Sequence, residues 1–460
     1  MVKYIKETER EVTAMPITAA FTVPHPPMIV PEVGRGSEKQ IEATTRAYES
    51  AADEIAALKP ETIIISSPHA PMYADYFHIS PGSGAVGSFG DFRAPEVRFS
   101  EEYDTGLVRE IERLADKTHF PAGTLGSKGS TLDHGTMVPL YFIRRKYKEG
   151  KIVRIGLSGL PLKEHYRLGQ MIAEAVRATG RNAVFVASGD LSHKLQDYGP
   201  YGFAPEGPVY DERVMDVLSR ASFGELLSFD EEFLNRAAEC GHRSFVIMAG
   251  ALDGISVRAS RLSHEDITGV GYGICTFRPE GEDSSRRFLD AHDAYVRLAI
   301  DSLESYILHE KKLSVPDGLP KEMLNKRAGT FVSIHKLGEL RGCIGTIAPT
   351  TASVAEEIIQ NAISASTQDP RFDPITADEL ALLDVNVDVL GEAEDIDSPE
   401  MLDVKRYGVI VTNGYRRGLL LPDLEGVDTV EQQIDIARRK AGIMPGEELK
   451  LQRFEVVRHY

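Results

Sequence analysis

The sequence predicts an α/β domain over residues 1–278 followed by a smaller α+β domain over residues 287–460, and three observations predict it. At 460 residues the chain exceeds what one ordinary core encloses. Strand-like and helix-like segments alternate through the first half, the βαβ rhythm of a parallel sheet with right-handed crossovers. In the second half strands follow one another across turns, with the helices set apart from them, as in α+β folds.

The elements follow in order. Ile17 to Val23 reads as a strand, and Ser37 to Leu58 as a helix with Ile41, Tyr48, Ala52 and Ile55 on one face. Pro60 stops that helix, and Thr62-Ile63-Ile64-Ile65 is the apolar run of a strand buried on both faces. A strand at Ile152–Leu157, a helix at Lys163–Thr179 and a strand at Ala183–Ala187 repeat the pattern. Strands near Ile255–Leu262 and Gly271–Phe277 close the domain. The polar stretch Pro279–Ser285 reads as a linker, and a helix runs from about Phe288 to His309. Beyond it come strands at Thr330–His335 and Leu340–Ile347 and a helix at Ser353–Ser366. Strands at Val385–Leu390, Gly408–Val411 and Gly418–Leu421 and a helix at Thr429–Ala441 complete the second domain.

Composition excludes several function classes. Lys and Arg total 52 against 70 Asp and Glu, a net charge of −18. The balance is 31 basic to 37 acidic residues through Arg278 and 21 to 33 after it, so neither half favours nucleic acid or anionic lipid. The N-terminal residues hold no apolar stretch of signal-peptide length. No apolar run approaches the ~20 residues of a membrane helix. Cys240, Cys275 and Cys343 lie far apart without CxxC spacing, which speaks against a disulfide framework and for a reducing compartment. A cytoplasmic protein is expected, and a homo-oligomer stays open.

Four histidines share one kind of position. His25 follows the first strand in VPHPPMIVPEVG, and His69 follows the second in IIISSPHAPMY. His134 stands in TLDHGTMVPL where a Gly-marked turn enters a helix, and His193 ends ASGDLSH just past an apolar strand. Ligands of open α/β sheets bind outside the carboxyl ends of the strands, so residues distant in sequence converge there. Imidazole is the commonest transition-metal ligand, and prolines on both sides of His25 and His69 stiffen the backbone that holds them.

The motifs HPPMIVPEVG, SPHAPMY, LDHGTMVPL, SGDLSH and AECGHRS, in this order, resemble the class III extradiol dioxygenases, whose fold includes the Memo branch. The resemblance covers roughly residues 15–278. It implies ferrous iron on two histidines and a carboxylate, with a small aromatic molecule and dioxygen as substrates and opening of a catechol- or aminophenol-type ring as the reaction. Carried over by motif, the ligands are His25, His69 and Glu239. His193 becomes the acid/base, and His134 a group beside the substrate or behind the ligands. Asp190 either orients His193 or binds loop backbone. The Memo branch uses the cysteine of its Cys-Gly pair near the metal, so Cys240 is the alternative third ligand. A thiolate there favours zinc or copper over iron. His242 is a rival that more readily packs or caps a helix.

Leu340-Arg-Gly-Cys-Ile-Gly345 resembles the signature of the AMME-syndrome candidate family, and STQDPRFDPITADEL and GVIVTNGYRRGLLLP match its later segments over residues 290–460. Side by side, the two domains are similar to the bacterial AmmeMemoRadiSam system, which implies a radical SAM protein as partner. Arg341 is a candidate anion-binding group, and Cys343 a candidate thiol activated by the positive charge beside it. A buried cysteine and an arginine paired to a carboxylate explain the same letters.

Overall fold

The computed structural model describes residues 15–283, 293–424 and 426–459. The chain divides into two compact units, residues 1–291 and 292–460. Each has hydrophobic cores of its own.

The sheet of the first unit contains β1 (Ile17–Val23), β2 (Thr62–Ser67), β3 (Lys151–Gly156), β4 (Ala183–Ser188), β5 (Ile255–Glu265) and β6 (Tyr272–Glu282). The strand order is β3-β2-β4-β1-β6-β5. The first four run parallel, and β6 and β5 complete the sheet as an antiparallel pair. Every residue of β2 and β4 is buried, as expected for strands covered on both faces. Around the sheet stand α1 (Glu42–Leu58), α2 (His134–Lys146), α3 (Leu162–Thr179), α4 (Glu206–Arg220) and α5 (His242–Ala251). The central strands β2, β4 and β1 are neighbours, so their carboxyl ends open onto one place.

Two expectations need correction here. The helix expected from Ser37 is two pieces, a 3-10 turn over Ser37–Ile41 and then α1, because Ile41 leaves helical geometry at φ −121°, ψ 49°. The expected linker begins too early: Pro279 to Glu282 continue β6 and pair with β5. Pro279 is tolerated because β1 no longer pairs alongside and a bulge follows it at Gly281. Ser284, Ser285 and the stretch from Phe288 to His292 lie outside the described residues.

The second unit begins with α6 (Ala294–His309), capped by the Asp293 side chain, and continues with β7 (Thr330–Lys336), β8 (Glu339–Gly345) and α7 (Val354–Thr367). Then come β9 (Leu383–Leu390), β10 (Glu394–Ile396), β11 (Gly408–Asn413), β12 (Arg416–Leu420), α8 (Val430–Lys440), β13 (Lys450–Phe454) and β14 (Val456–His459). They form two antiparallel sheets, β8-β7-β9-β14 and β10-β13-β11-β12. Glu455 alone separates β13 from β14, so one residue hands the chain from one sheet to the other.

Candidate metal centre

Each parallel strand of the central trio delivers a side chain two residues past its end. His25 follows β1, His69 follows β2 and Asp190 follows β4. Nε2 of His25 and Nε2 of His69 face each other at 3.0 Å. Cys240 Sγ lies 3.6 Å from the same His25 nitrogen. The donor atoms of His25, His69 and Cys240 all lie within 4.8 Å of one another, and so do those of Asp190, His193 and Cys240. The two triads share the sulfur.

Hydrogen bonds behind the cluster set its chemistry. Ser188 Oγ donates to the Gly135 carbonyl at 2.6 Å, so towards His25 Nδ1, 3.0 Å away, it accepts. The proton of His25 is thereby held on Nδ1, and Nε2 presents its lone pair. Burial, aided by the neighbouring His69, lowers the His25 pKa to about 3, so the ring is neutral at pH 7. Asp190 Oδ1 accepts from the His25 backbone N–H at 2.7 Å, and the Tyr48 hydroxyl holds the Pro24 carbonyl. Burial raises Asp190 to about 6. Ser67 is bonded to Asp133, whose carboxylate also caps α2 and pairs with the buried Arg154. Burial works against that carboxylate, yet Arg154, Ser67 and Thr136 prevail and hold its pKa low.

His193 belongs to the second triad. Its Nε2 is buried without a hydrogen-bond partner among the described residues, 3.9 Å from Asp190 Oδ2. Its ring stacks on Tyr201 at 5.0 Å. His134, first residue of α2, meets His69 at 4.0 Å with the rings tilted by 36° and Phe92 edge-on at 5.4 Å. Burial, then His69 and His25, lower its pKa to about 4.

The structure brings together His25, His69, Cys240, Asp190, His193 and His134, and leaves Glu239 out. Ala238 turns the chain at φ 53°, and Glu239 swings to the start of α5, where it accepts the His242 N–H at 2.6 Å. A carboxylate is stabilised there by unsatisfied N–H groups and the helix dipole. Burial raises Glu239 to about 7. Cys240 faces the histidines instead, because its loop is drawn against β4. A Cβ on Gly189 would lie 2.0 Å from Gly241 Cα, and the Cys240 and Gly241 N–H groups share the Asp190 carbonyl. His242 is buried, bonded to Tyr210 and the Leu226 carbonyl, and outside the cluster. Ser188, Asp133, Phe92 and Tyr201 were missed. Only Asp133 carried a signal, as the N-cap type of residue opening LDHG.

The donor set fits a transition metal. Two imidazole nitrogens 3.0 Å apart share either a hydrogen-bonding proton or a cation, and the sulfur stands within 4.8 Å of both. Without an ion, burial, Asp190 and Glu239 keep the Cys240 thiol protonated well above its usual pKa. A bound cation favours the thiolate.

In the second unit Arg341 is fully engaged within the protein. It grips Glu379 with Nε at 3.0 Å and Nη2 at 2.9 Å, and donates to the Asp373 carbonyl at 2.8 Å. The anion it meets in this structure is internal, the Glu379 carboxylate. Gly342 lets β8 lie against α7, since a Cβ there would meet the Ala365 carbonyl at 2.2 Å. Cys343 has its N–H on Asp369 at 2.8 Å and its sulfur 3.3 Å from Ser333 Oγ.

A largely parallel sheet with histidines, a cysteine and an aspartate that could hold a metal gathered beyond its central strand ends defines the class of the first unit. Residues 19–275 match the family described as the catalytic LigB subunit of aromatic ring-opening dioxygenase, and residues 296–459 match AMMECR1. The chain belongs to the LigB family and carries an AMMECR1 domain behind that unit. Protein CA_C1420 of Clostridium acetobutylicum is 43% identical over 466 residues, spanning 97% of this chain and 99% of its own. A Thermotoga maritima protein is 50% identical over 167 residues, 36% of this chain and 96% of its own. Among solved structures, uncharacterized protein PH0010 from Pyrococcus horikoshii overlays with a TM-score of 0.34 at 32% identity, covering 36% of this chain and 88% of its own.

Proposed function

We propose that the first unit is a metal-dependent oxidoreductase that opens a small phenolic ring, a catechol or an aminophenol, with dioxygen as co-substrate. The observation that carries this reading is His193 Nε2, buried without a partner beside Asp190 and next to the His25–His69–Cys240 cluster. Membership of the ring-opening family supports it.

His25, His69 and Cys240 would hold the metal, ferrous iron for this chemistry, with zinc and copper as competitors. A bound metal would supply Lewis acidity towards the ring oxygen and redox chemistry towards dioxygen. His193 takes the proton of a phenolic hydroxyl on Nε2 and later returns it, and Asp190 at 3.9 Å steadies the protonated ring. His134 and Phe92 offer flat aromatic surface beside the ligands.

A second reading is favoured by one observation, the sulfur of Cys240 where the ring-opening pattern expects an oxygen. In it the site holds zinc or copper without oxygen chemistry and works with a radical SAM protein on a small molecule, RNA or protein.

Metal analysis of the purified chain, joined to oxygen uptake on a panel of catechols and aminophenols, separates the two. Iron with uptake is the expected result, together with a His193→Ala variant that keeps its metal and turns over roughly 10²–10⁴-fold more slowly. Stoichiometric zinc or copper without uptake transfers the case to the second reading. No stoichiometric metal overturns both.

A further inference from the structure

In the second unit the two sheets enclose a cleft of about 580 Å³. Its floor includes the cross-strand pair Ser333 and Cys343 of β7 and β8. One side is apolar, formed by Ile347, Leu419, Leu421 and Leu424. Four cations line it as well: Arg371, Arg417, Lys440 and Arg458. Two of them are neutralised by the protein. Asp369 grips Arg371 at 2.9 and 2.7 Å, and Asp388 accepts from Arg458 at 2.8 Å.

Among the described residues the other two have no carboxylate partner. Arg417 reaches the neutral amide of Gln452 at 3.3 Å. Lys440, from the end of α8, lines the cleft beside the Arg371 guanidinium and the Cys343 thiol, and no carboxylate pairs with it among the described residues. In a chain whose residues after Arg278 carry 21 basic and 33 acidic groups, two uncompensated cations in one cleft stand against the prevailing charge. Positive charge over low-dielectric walls concentrates anions, and the same acidic background repels a polyanion. The size of the cleft and the leucine wall suit a small ligand with an apolar body.

We propose that this cleft binds a small amphipathic anion, a carboxylate or phosphate monoester on an apolar body, with its head at Arg417 and Lys440 and its body along the leucine wall above Cys343. Arg341, held by Glu379 and Asp373, takes no part.

The test is calorimetric titration of octanoate and of octyl phosphate into the full chain and into an Arg417→Gln/Lys440→Gln double variant. Both side chains are exposed, so the variant keeps the fold. Expected is saturable binding of at least one probe, weakened about ten-fold or more in the variant, the scale of a lost charge-assisted contact. The bound probe also slows alkylation of Cys343 by iodoacetamide, read on the Cys343 peptide by mass spectrometry. Octanoate binding alone identifies a carboxylate site, and octyl phosphate alone a phosphate site. Neither probe binding, equal binding by the variant, or unchanged Cys343 alkylation at saturating probe each overturns the proposal.

Discussion

Cys240 and Glu239 leave one turn in opposite directions, because a carboxylate finds unsatisfied N–H groups at the start of α5 while the next residue is pinned through its backbone to Asp190. Cys240→Ala is therefore expected to lose bound metal, and Glu239→Gln to keep it with a loss of stability. Metal stoichiometry of the two variants decides, and the reverse result would return the carboxylate to the ligand set. A second prediction concerns His165, fully buried in α3, whose Nε2 accepts the Ser158 N–H at 3.3 Å while Nδ1 meets the Pro161 carbonyl at 3.1 Å. Burial lowers its pKa to about 3. A histidine depressed below its unfolded value near 6.5 contributes stability above that pH and loses it as pH falls towards 3. His165→Asn should thus cost more at pH 7 than at pH 4 in urea unfolding, and an equal cost at both would refute the assignment. At this scale the histidines were legible, because each follows a strand or opens a helix. The choice between Glu239 and Cys240 was not, since it depends on a backbone turn at Ala238 that its letter does not announce.

The elements that build the site were readable for a physical reason. Strands buried on both faces, such as β2 and β4, are short apolar runs bounded by turns, and little else produces that pattern. β13 and β14 escaped notice because their residues, Lys450–Phe454 and Val456–His459, are mixed in polarity and mostly half-buried. The end of β4 depends on two glycines meeting: with Gly189 against Gly241 there is no room for even one methyl group. Gly189→Ala is expected to push the Cys240 loop away from β4 and lower metal content, while circular dichroism stays that of the wild type. Full metal occupancy in that variant would show that the loop is placed by other contacts.

At the scale of the whole chain, two units with separate cores place Cys240 and Cys343 in different bodies. Cys343→Ser should leave the metal content and any ring-opening activity of the first unit unchanged, and a parallel loss of both would tie the units together functionally. The division into an α/β and an α+β part was legible from the order of strands and helices, whereas the bond between Arg341 and Glu379 was hidden by a separation of 38 positions along the chain. One further consequence belongs to the cluster beyond the sheet. His25 lies 44 positions from His69 and 215 from Cys240. An ion held by all three is a cross-link that closes two long loops of a chain which, unfolded, has no site for it. On the proposed reading, occupancy would govern how long the fold lasts: the loaded protein is expected to outlive its chelated form under limited proteolysis, and equal lifetimes would separate metal from stability.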